Sequence, residues 1–166
     1  MTLSVGETLV YPHHGAVTVT KIEQLTIKGV EREFMTLSVH TSELQIKLPV
    51  ENMELVGIRD VIDAPGVHQV FDVLRSPFVE EPTNWSRRYK ANQEKMASGN
   101  VFRVSEVVRD LWRRNEDNGV SAGEKRMLQK AWQILVSEIA LAQHQSDDEA
   151  STEIAEVLAR PTSATD

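Results

Sequence analysis

The sequence predicts an α+β protein in which a small, strongly bent β-barrel precedes an all-helical domain of about five helices. Two observations predict this class. The first sixty residues contain several short β-branched runs separated by turn residues, whereas beyond Gly57 the apolar residues recur at helical spacing. Strands this short and closely spaced favour a barrel over a parallel sheet with crossover helices. We expect an N-terminal domain over residues 1–58, a linker near 57–65, a helical domain over 64–160 and a flexible polar tail over 161–166.

The predicted strands are four runs in which apolar and polar residues roughly alternate: TLVYP, AVTVTKI, EFMTLSV and LQIKLPV. Turn residues separate them at positions 13–15, 28–29 and 40–42. A β-domain of this size is only marginally stable alone, so we expect it to pack against a neighbouring domain or a partner.

Capping residues and helix breakers bound the predicted helices. The first begins at the segment Ala64-Pro65-Gly66 and stops at Pro77. The segment Pro82-Thr83-Asn84 supplies cap chemistry for the second helix, and Asn100, Ser121 and Ser146 are the N-caps predicted for the other three. The last two caps belong to capping boxes, because a glutamate follows three residues later in each case.

Composition excludes many enzyme classes. The 166-residue chain has no cysteine, which removes thiolate nucleophiles, disulfides and cysteine-based metal sites. It also lacks a glycine-rich phosphate loop, a nucleophile elbow and an HExxH motif. His13 and His14 are the best metal candidates, but neighbours on an extended segment point to opposite faces, so a polar turn is the favoured interpretation. We expect no catalytic residue, metal or cofactor.

Charge is distributed unevenly along the chain. The net charge of -7 divides into about -5 for residues 1–74, +4 for 75–132 and -6 for 133–166. Any contact with nucleic acid is therefore expected in the basic middle, and an acidic protein of this kind is expected to reach DNA with the help of a partner. No apolar run is long enough for a membrane helix and the N-terminus does not resemble a signal peptide, so we expect a cytoplasmic protein without membrane contact.

The most informative segment lies at the start of the second predicted helix. Trp85, Arg87, Arg88, Tyr89 and Lys90 place two aromatic rings and three cations within two helical turns, beside the backbone N–H groups of a helix N-terminus. A second basic cluster (Arg113, Arg114, Lys125, Arg126 and Lys130) either extends this phosphate-binding track or is an ordinary solvated face.

The three tryptophans have different settings. Trp112 and Trp132 lie in apolar helical stripes and are predicted to be core residues, whereas Trp85 has only Tyr89 and the more distant Met96 at helical spacing. Two interpretations of Trp85 remain open on the residues alone. It either anchors the helix end, packing against Pro82 or the preceding helix, or forms an exposed wedge that enters a minor groove or stacks on an unpaired base.

Four segments carry a resemblance to a known family: VYPHHG from position 10, EEPTNWSRRYK from 80, VVRDLWRR from 107 and SAGEKRML from 121. In these segments and in their order, the sequence resembles the CarD (CdnL) transcription factors of actinobacteria over about residues 5–158. The resemblance implies a Tudor-like RNA polymerase interaction domain, similar to that of transcription-repair coupling factor, followed by a helical DNA-binding domain.

The resemblance also implies site residues. Trp85 matches the family's minor-groove wedge, and Arg87, Lys90 and Lys125 match its cations that contact the DNA backbone. Leu25, Ile27 and Lys47 match the surface that binds the β subunit of RNA polymerase, although relatives carry arginine at the positions of Leu25 and Lys47. Lysine lacks the bidentate fork of arginine, and leucine lacks the charge as well.

The sequence therefore predicts a non-enzymatic regulator, expected to be monomeric, that binds RNA polymerase and stabilises the open promoter complex at the upstream edge of the bubble. It would associate with the nucleoid through the polymerase and need no strong sequence specificity. Two other classes remain as alternatives: a free-standing DNA-binding protein of the nucleoid type, and a protein-interaction module that uses the barrel alone.

Overall fold

A computed structural model describes residues 3–77 and 84–161, and the structural statements below concern these residues. The predicted cap residues Pro82 and Thr83, and all of the predicted tail except Pro161, lie outside them. No helix in the described ranges is long and apolar enough to cross a membrane.

The predicted N-terminal β-domain is confirmed as a five-stranded antiparallel sheet. Its strands are β1 (Thr8–Tyr11), β2 (Gly15–Ile27), β3 (Val30–Val39), β4 (Gln45–Pro49) and β5 (Arg59–Asp60), in the spatial order β4-β3-β2-β1-β5. The sequence did not predict β5, because a two-residue strand has no periodicity. Its pairing with Leu9 and Val10 carries the sheet two residues beyond the expected boundary at 58.

One face of the sheet forms a small apolar core. Leu9, Val17, Val19, Met35 and Leu37 are fully buried there. The pairing of β2 with β3 shifts between Val19 and Lys21, which is the signature of a bulge and allows these long strands to bend around the core. A short 3-10 turn (Val50–Asn52) and helix α1 (Met53–Val56), neither of them predicted, follow β4, and Met53 joins the same core.

Five further helices confirm the predicted helical domain: α2 (Ala64–Arg75), α3 (Trp85–Ala97), α4 (Val101–Asp117), α5 (Ala122–Gln143) and α6 (Asp147–Leu158). Asn84 and Asn100 accept hydrogen bonds from the first turns of α3 and α4, and both predicted capping boxes are formed. The apolar stripes of α2, α4, α5 and α6 make one core, against which Trp112 and Trp132 are partly buried, as predicted.

The barrel packs against α5 through polar contacts as well as apolar ones. Glu138, 1% exposed, accepts two hydrogen bonds from Arg59 at 2.7 and 2.8 Å and a third from the backbone of Ile62 at 2.9 Å. Ser137 Oγ accepts from the backbone N–H of Ala16 at 3.2 Å. Glu138 thus attaches β5 and Ile62, which lies in the predicted linker, to α5.

Candidate nucleic-acid interface

Trp85 is the first residue of α3 and its side chain is 46% exposed. Asn84 caps the helix by accepting from the N–H of Arg87 at 3.2 Å, which fixes where the first turn begins. The indole stacks on Tyr89 one turn later, with ring centroids 5.2 Å apart and ring planes 18° apart. One face of the indole is therefore covered by an aromatic neighbour while much of the side chain faces solvent.

The first turn of α5 orients the indole. Trp85 Nε1 lies 3.1 Å from both Ser121 Oγ and Glu124 Oε1, the two side chains of the α5 capping box. Gly123 lies in the same turn, and a Cβ there would be 3.5 Å from the Tyr89 ring, so the turn approaches the stack closely. The ring pair is held by two helices, which limits its rotation.

Glu124 connects these contacts to a buried ion pair. Its side chain is 1% exposed, and Arg88 Nε donates to Glu124 Oε2 at 3.0 Å from a side chain that is 5% exposed. Burial raises the pKa of Glu124, but the hydrogen bonds from Arg88 and Ser121 outweigh burial and hold this pKa below its ordinary value. The carboxylate is therefore charged at neutral pH and accepts from Trp85 and Arg88 together.

The cations around the ring pair are exposed and available. Within the described ranges, no carboxylate forms an ion pair with any of five exposed cations: Arg87 and Lys90 on α3, and Lys125, Arg126 and Lys130 on α5. By contrast, Lys95 at the other end of α3 is paired with Glu106 at 3.2 Å. Positive charge without a partner on an acidic protein is chemically suited to phosphate.

The residues predicted for DNA contact have unequal positions. Trp85, Arg87, Lys90 and Lys125 are exposed and Tyr89 is partly exposed, whereas the guanidinium of Arg88 is buried against Glu124 and presents no surface to a phosphate. In the second basic cluster, Arg113 turns away from α5, since its Nη2 donates to the backbone oxygen of Leu74 at 2.9 Å. Burial lowers the pKa of Arg113, and the positive charge of Arg109 lowers it further.

Leu25, Ile27 and Lys47, the predicted polymerase-binding residues, share one face of the sheet. Leu25 and Ile27 alternate on β2, and Lys47 reaches across to Glu23 on the same face at 3.1 Å. Ile27 and its cross-strand partner Val30 are 48% and 52% exposed. This face lies opposite the barrel core and carries exposed apolar side chains near the β2–β3 turn.

Sequence reasoning missed the central residue of the site. Ser121 and Glu124 were identified only as a capping box, and that pattern does indicate a helix start. It does not indicate that the carboxylate is buried or that it binds side chains from α3. The sequence around Glu124 does not show that it is buried, because its partner Arg88 lies 36 residues away in the chain.

Comparison with known proteins agrees with this architecture. Two family models match the chain: CarD, C-terminal domain, over residues 69–155, and the CarD-like/TRCF RID domain over residues 3–62. The Bacillus subtilis protein described as putative transcription factor YdeB is 28% identical over 135 residues, which cover 81% of this chain and 88% of that protein.

A solved structure also matches part of the chain. The NMR structure of the 72-residue N-terminal domain of Myxococcus xanthus CarD is 25% identical, covers 36% of this chain and 79% of that one, and has a TM-score of 0.31. Because the two family models together span both domains, this chain belongs to the CarD family of transcription regulators, as the four sequence segments predicted.

Proposed function

We propose that this protein binds the β subunit of RNA polymerase through the outer face of its barrel and stabilises the open promoter complex by placing Trp85 at the upstream edge of the bubble. One observation carries the DNA part of this proposal. A half-exposed indole, held by Tyr89 and Glu124, is flanked by exposed cations that have no carboxylate partner among the described residues.

This arrangement suits a distorted or opened duplex better than an intact one. An aromatic ring can wedge between base steps of the minor groove or stack on an unpaired base, while neighbouring cations hold the backbone. The contact then favours the open state, and it slows bubble collapse because its free energy is lost when the bubble closes. Because Trp85 is fixed by α5 before it meets DNA, little side-chain entropy is lost on binding.

Within this proposal, Arg88 supports the site instead of touching DNA. Its buried ion pair with Glu124 holds the carboxylate that orients Trp85. Arg87, Lys90 and Lys125 would contact phosphates, with Tyr89 supporting the wedge from behind.

The polymerase part rests on the barrel. Residues 3–62 match the domain shared by CarD-like proteins and the transcription-repair coupling factor, and Leu25, Ile27 and Lys47 form a mixed apolar and basic face on its outer side. The net charge of -7 argues against strong association with free DNA, so recruitment by polymerase would raise the local concentration at the fork.

Trp85→Ala tests the DNA part. We expect open complexes formed with this variant to have lifetimes shorter by about 5- to 150-fold, the range that corresponds to one stacked base. Trp85→Phe is the matched control, since it keeps an apolar ring but loses the bonds to Ser121 and Glu124, and it should retain part of the effect. Normal open-complex lifetimes with Trp85→Ala, at saturating protein, would disprove the wedge.

Ile27→Glu and Lys47→Glu test the polymerase part. Both should weaken binding of the full-length protein to the polymerase β subunit, because one buries a charge at an apolar contact and the other reverses a charge. Thr152→Glu, an exposed position on α6, is the matched control for an added negative charge. Equal affinity of all three variants and the unmodified protein would show that this face does not bind the β subunit.

A further inference from the structure

A basic groove lies where the barrel meets α5. Two neighbouring cavities have volumes of about 320 and 530 Å³. The β1–β2 turn and α5 line both, α3 completes the smaller one and the β3–β4 turn completes the larger one. Three residues line both cavities: His13 of the barrel, and Arg126 and Lys130 of α5. The groove is therefore built by both domains.

The positive charge of this groove comes mainly from Arg126 and Lys130. His14 joins the three shared residues in the larger cavity, although burial and then Lys130 lower its pKa. Among the described residues, no carboxylate lines either cavity. Arg126 and Lys130 form no ion pair with any carboxylate in the described part of the chain. These two cations lie one turn apart on α5 and repel one another, and an anionic ligand would remove that repulsion.

The turn that completes the groove is preorganised. The backbone N–H of His14 donates to the oxygen of Tyr11 at 3.0 Å, and Thr41 Oγ1 donates to the oxygen of His14 at 3.3 Å. Behind the turn, Ala16 is bonded to Ser137 of α5. His13 is thus held at a fixed position relative to Lys130.

The groove is continuous with the Trp85 site. Tyr89, the stacking partner of Trp85, and Gly123 line its smaller cavity. Arg126 and Lys130 line the same cavity and lie four residues apart on α5, about 6 Å along the helix axis. The groove therefore places two further cations beside Tyr89, whereas Lys125 lines a separate cavity with Trp132.

We propose that the backbone of the upstream duplex continues from Trp85 along α5 into this groove, so that the barrel domain contacts DNA through His13 in addition to binding polymerase. This inference rests on the proposed function of the Trp85 site. The occupant is duplex DNA because the groove is open, carries two cations that pair with no carboxylate among the described residues, and adjoins the Trp85–Tyr89 ring pair.

The test compares two DNA probes with the full-length protein over a salt series. The short probe is a fork that keeps only the few duplex base pairs next to the junction, and the long probe adds about ten base pairs of upstream duplex, roughly one helical turn. The variants are His13→Asn, which suits the left-handed backbone at φ 70°, and Lys130→Gln. Lys28→Asn is the control for His13→Asn, because Lys28 is a basic residue at another left-handed position, φ 52°.

Both groove variants should weaken binding of the long probe and leave the short probe unchanged. Loss of Lys130 should make the dependence of log affinity on log salt shallower by about 0.9 for the long probe. Lys28→Asn should match the unmodified protein on both probes. Lys125→Gln should weaken binding of both probes equally, because Lys125 is assigned to the Trp85 site, which both probes contact.

Two results would overturn the groove. If Lys125→Gln weakens binding of both probes but the groove variants bind the long probe normally, the groove does not contact DNA, while the proposed DNA contact at Trp85 is supported. If neither Lys125→Gln nor Trp85→Ala affects either probe, the proposed DNA contact fails and the groove fails with it.

Discussion

Trp85 and Glu124, which lie on different helices, are joined by a hydrogen bond of 3.1 Å from the indole Nε1 to Oε1 of the carboxylate. The other oxygen of the same carboxylate accepts at 3.0 Å from Arg88, which lies three residues after Trp85 on α3. The orientation of the exposed ring therefore depends on a buried ion pair. Rotating the indole would break a bond that also stabilises the contact of α3 with α5.

Glu124→Ala should destabilise the protein strongly. It leaves the buried Arg88 without its partner, and removing one member of a buried ion pair costs about 3–5 kcal/mol. Urea unfolding measures this loss. The double variant Arg88→Met with Glu124→Leu is the control, since replacing both charges by apolar groups should restore most of the stability. A cost of the single substitution below about 1 kcal/mol, the range of an exposed pair, would contradict a buried pair.

Glu124 should also contribute to acid sensitivity. Its pKa in the folded state lies below the ordinary value of 4.5, so its stabilising effect is complete above about pH 4.5 and is lost as the pH falls through the folded-state pKa. We expect the free energy of unfolding to fall less steeply with acidification in Glu124→Gln than in the unmodified protein. Glu23 and Glu149, whose pKa values are also lowered, are present in both proteins and cancel in the comparison. Identical pH slopes would contradict the charged state assigned to Glu124.

Gly15→Ala should disrupt the contact between the barrel and α5. An added Cβ would lie 2.9 Å from Ser137 Oγ and 3.2 Å from Ile134 Cα, and the backbone at φ +77° already disfavours a side chain. We expect a cost of about 2–4 kcal/mol, from left-handed strain and overpacking together. Gly29→Ala is a matched control, because its φ is also +77° but nothing lies within 4 Å of the added carbon. Equal melting temperatures for the two variants would show that the close approach is unimportant.

Replacing Arg87, Lys90 or Lys125 by alanine should make the dependence of log DNA affinity on log salt shallower by about 0.9 per residue. The change should be similar on different DNA sequences, because a phosphate contact carries no sequence information. Stability should change little, since all three side chains are exposed. Lys95→Ala is the matched control on α3, because Lys95 is already paired with Glu106. An unchanged salt slope in all three variants would identify these cations as an ordinary solvated face.

The sequence by itself determined the order and type of most elements. Helical and alternating periodicities reflect the local geometry of helices and strands. The side chains that cap α3 to α6 bond to groups within three residues of themselves, so the cap residues Asn84, Asn100 and both capping boxes could be predicted. The position of Trp85 outside any apolar stripe was also visible, but the residues alone left open whether it anchors the helix end or forms an exposed wedge.

Only the tertiary structure decided how these elements form a site. The burial of Arg88, the attachment of Trp85 to Glu124 and the meeting of His13 with Lys130 all join residues far apart in the chain. Such contacts depend on how helices and strands pack, which periodicity does not encode. Arg87 and Arg88 are neighbours of the same type, yet one is exposed and the other buried, because the helix turns by about 100° between them and only Arg88 faces α5.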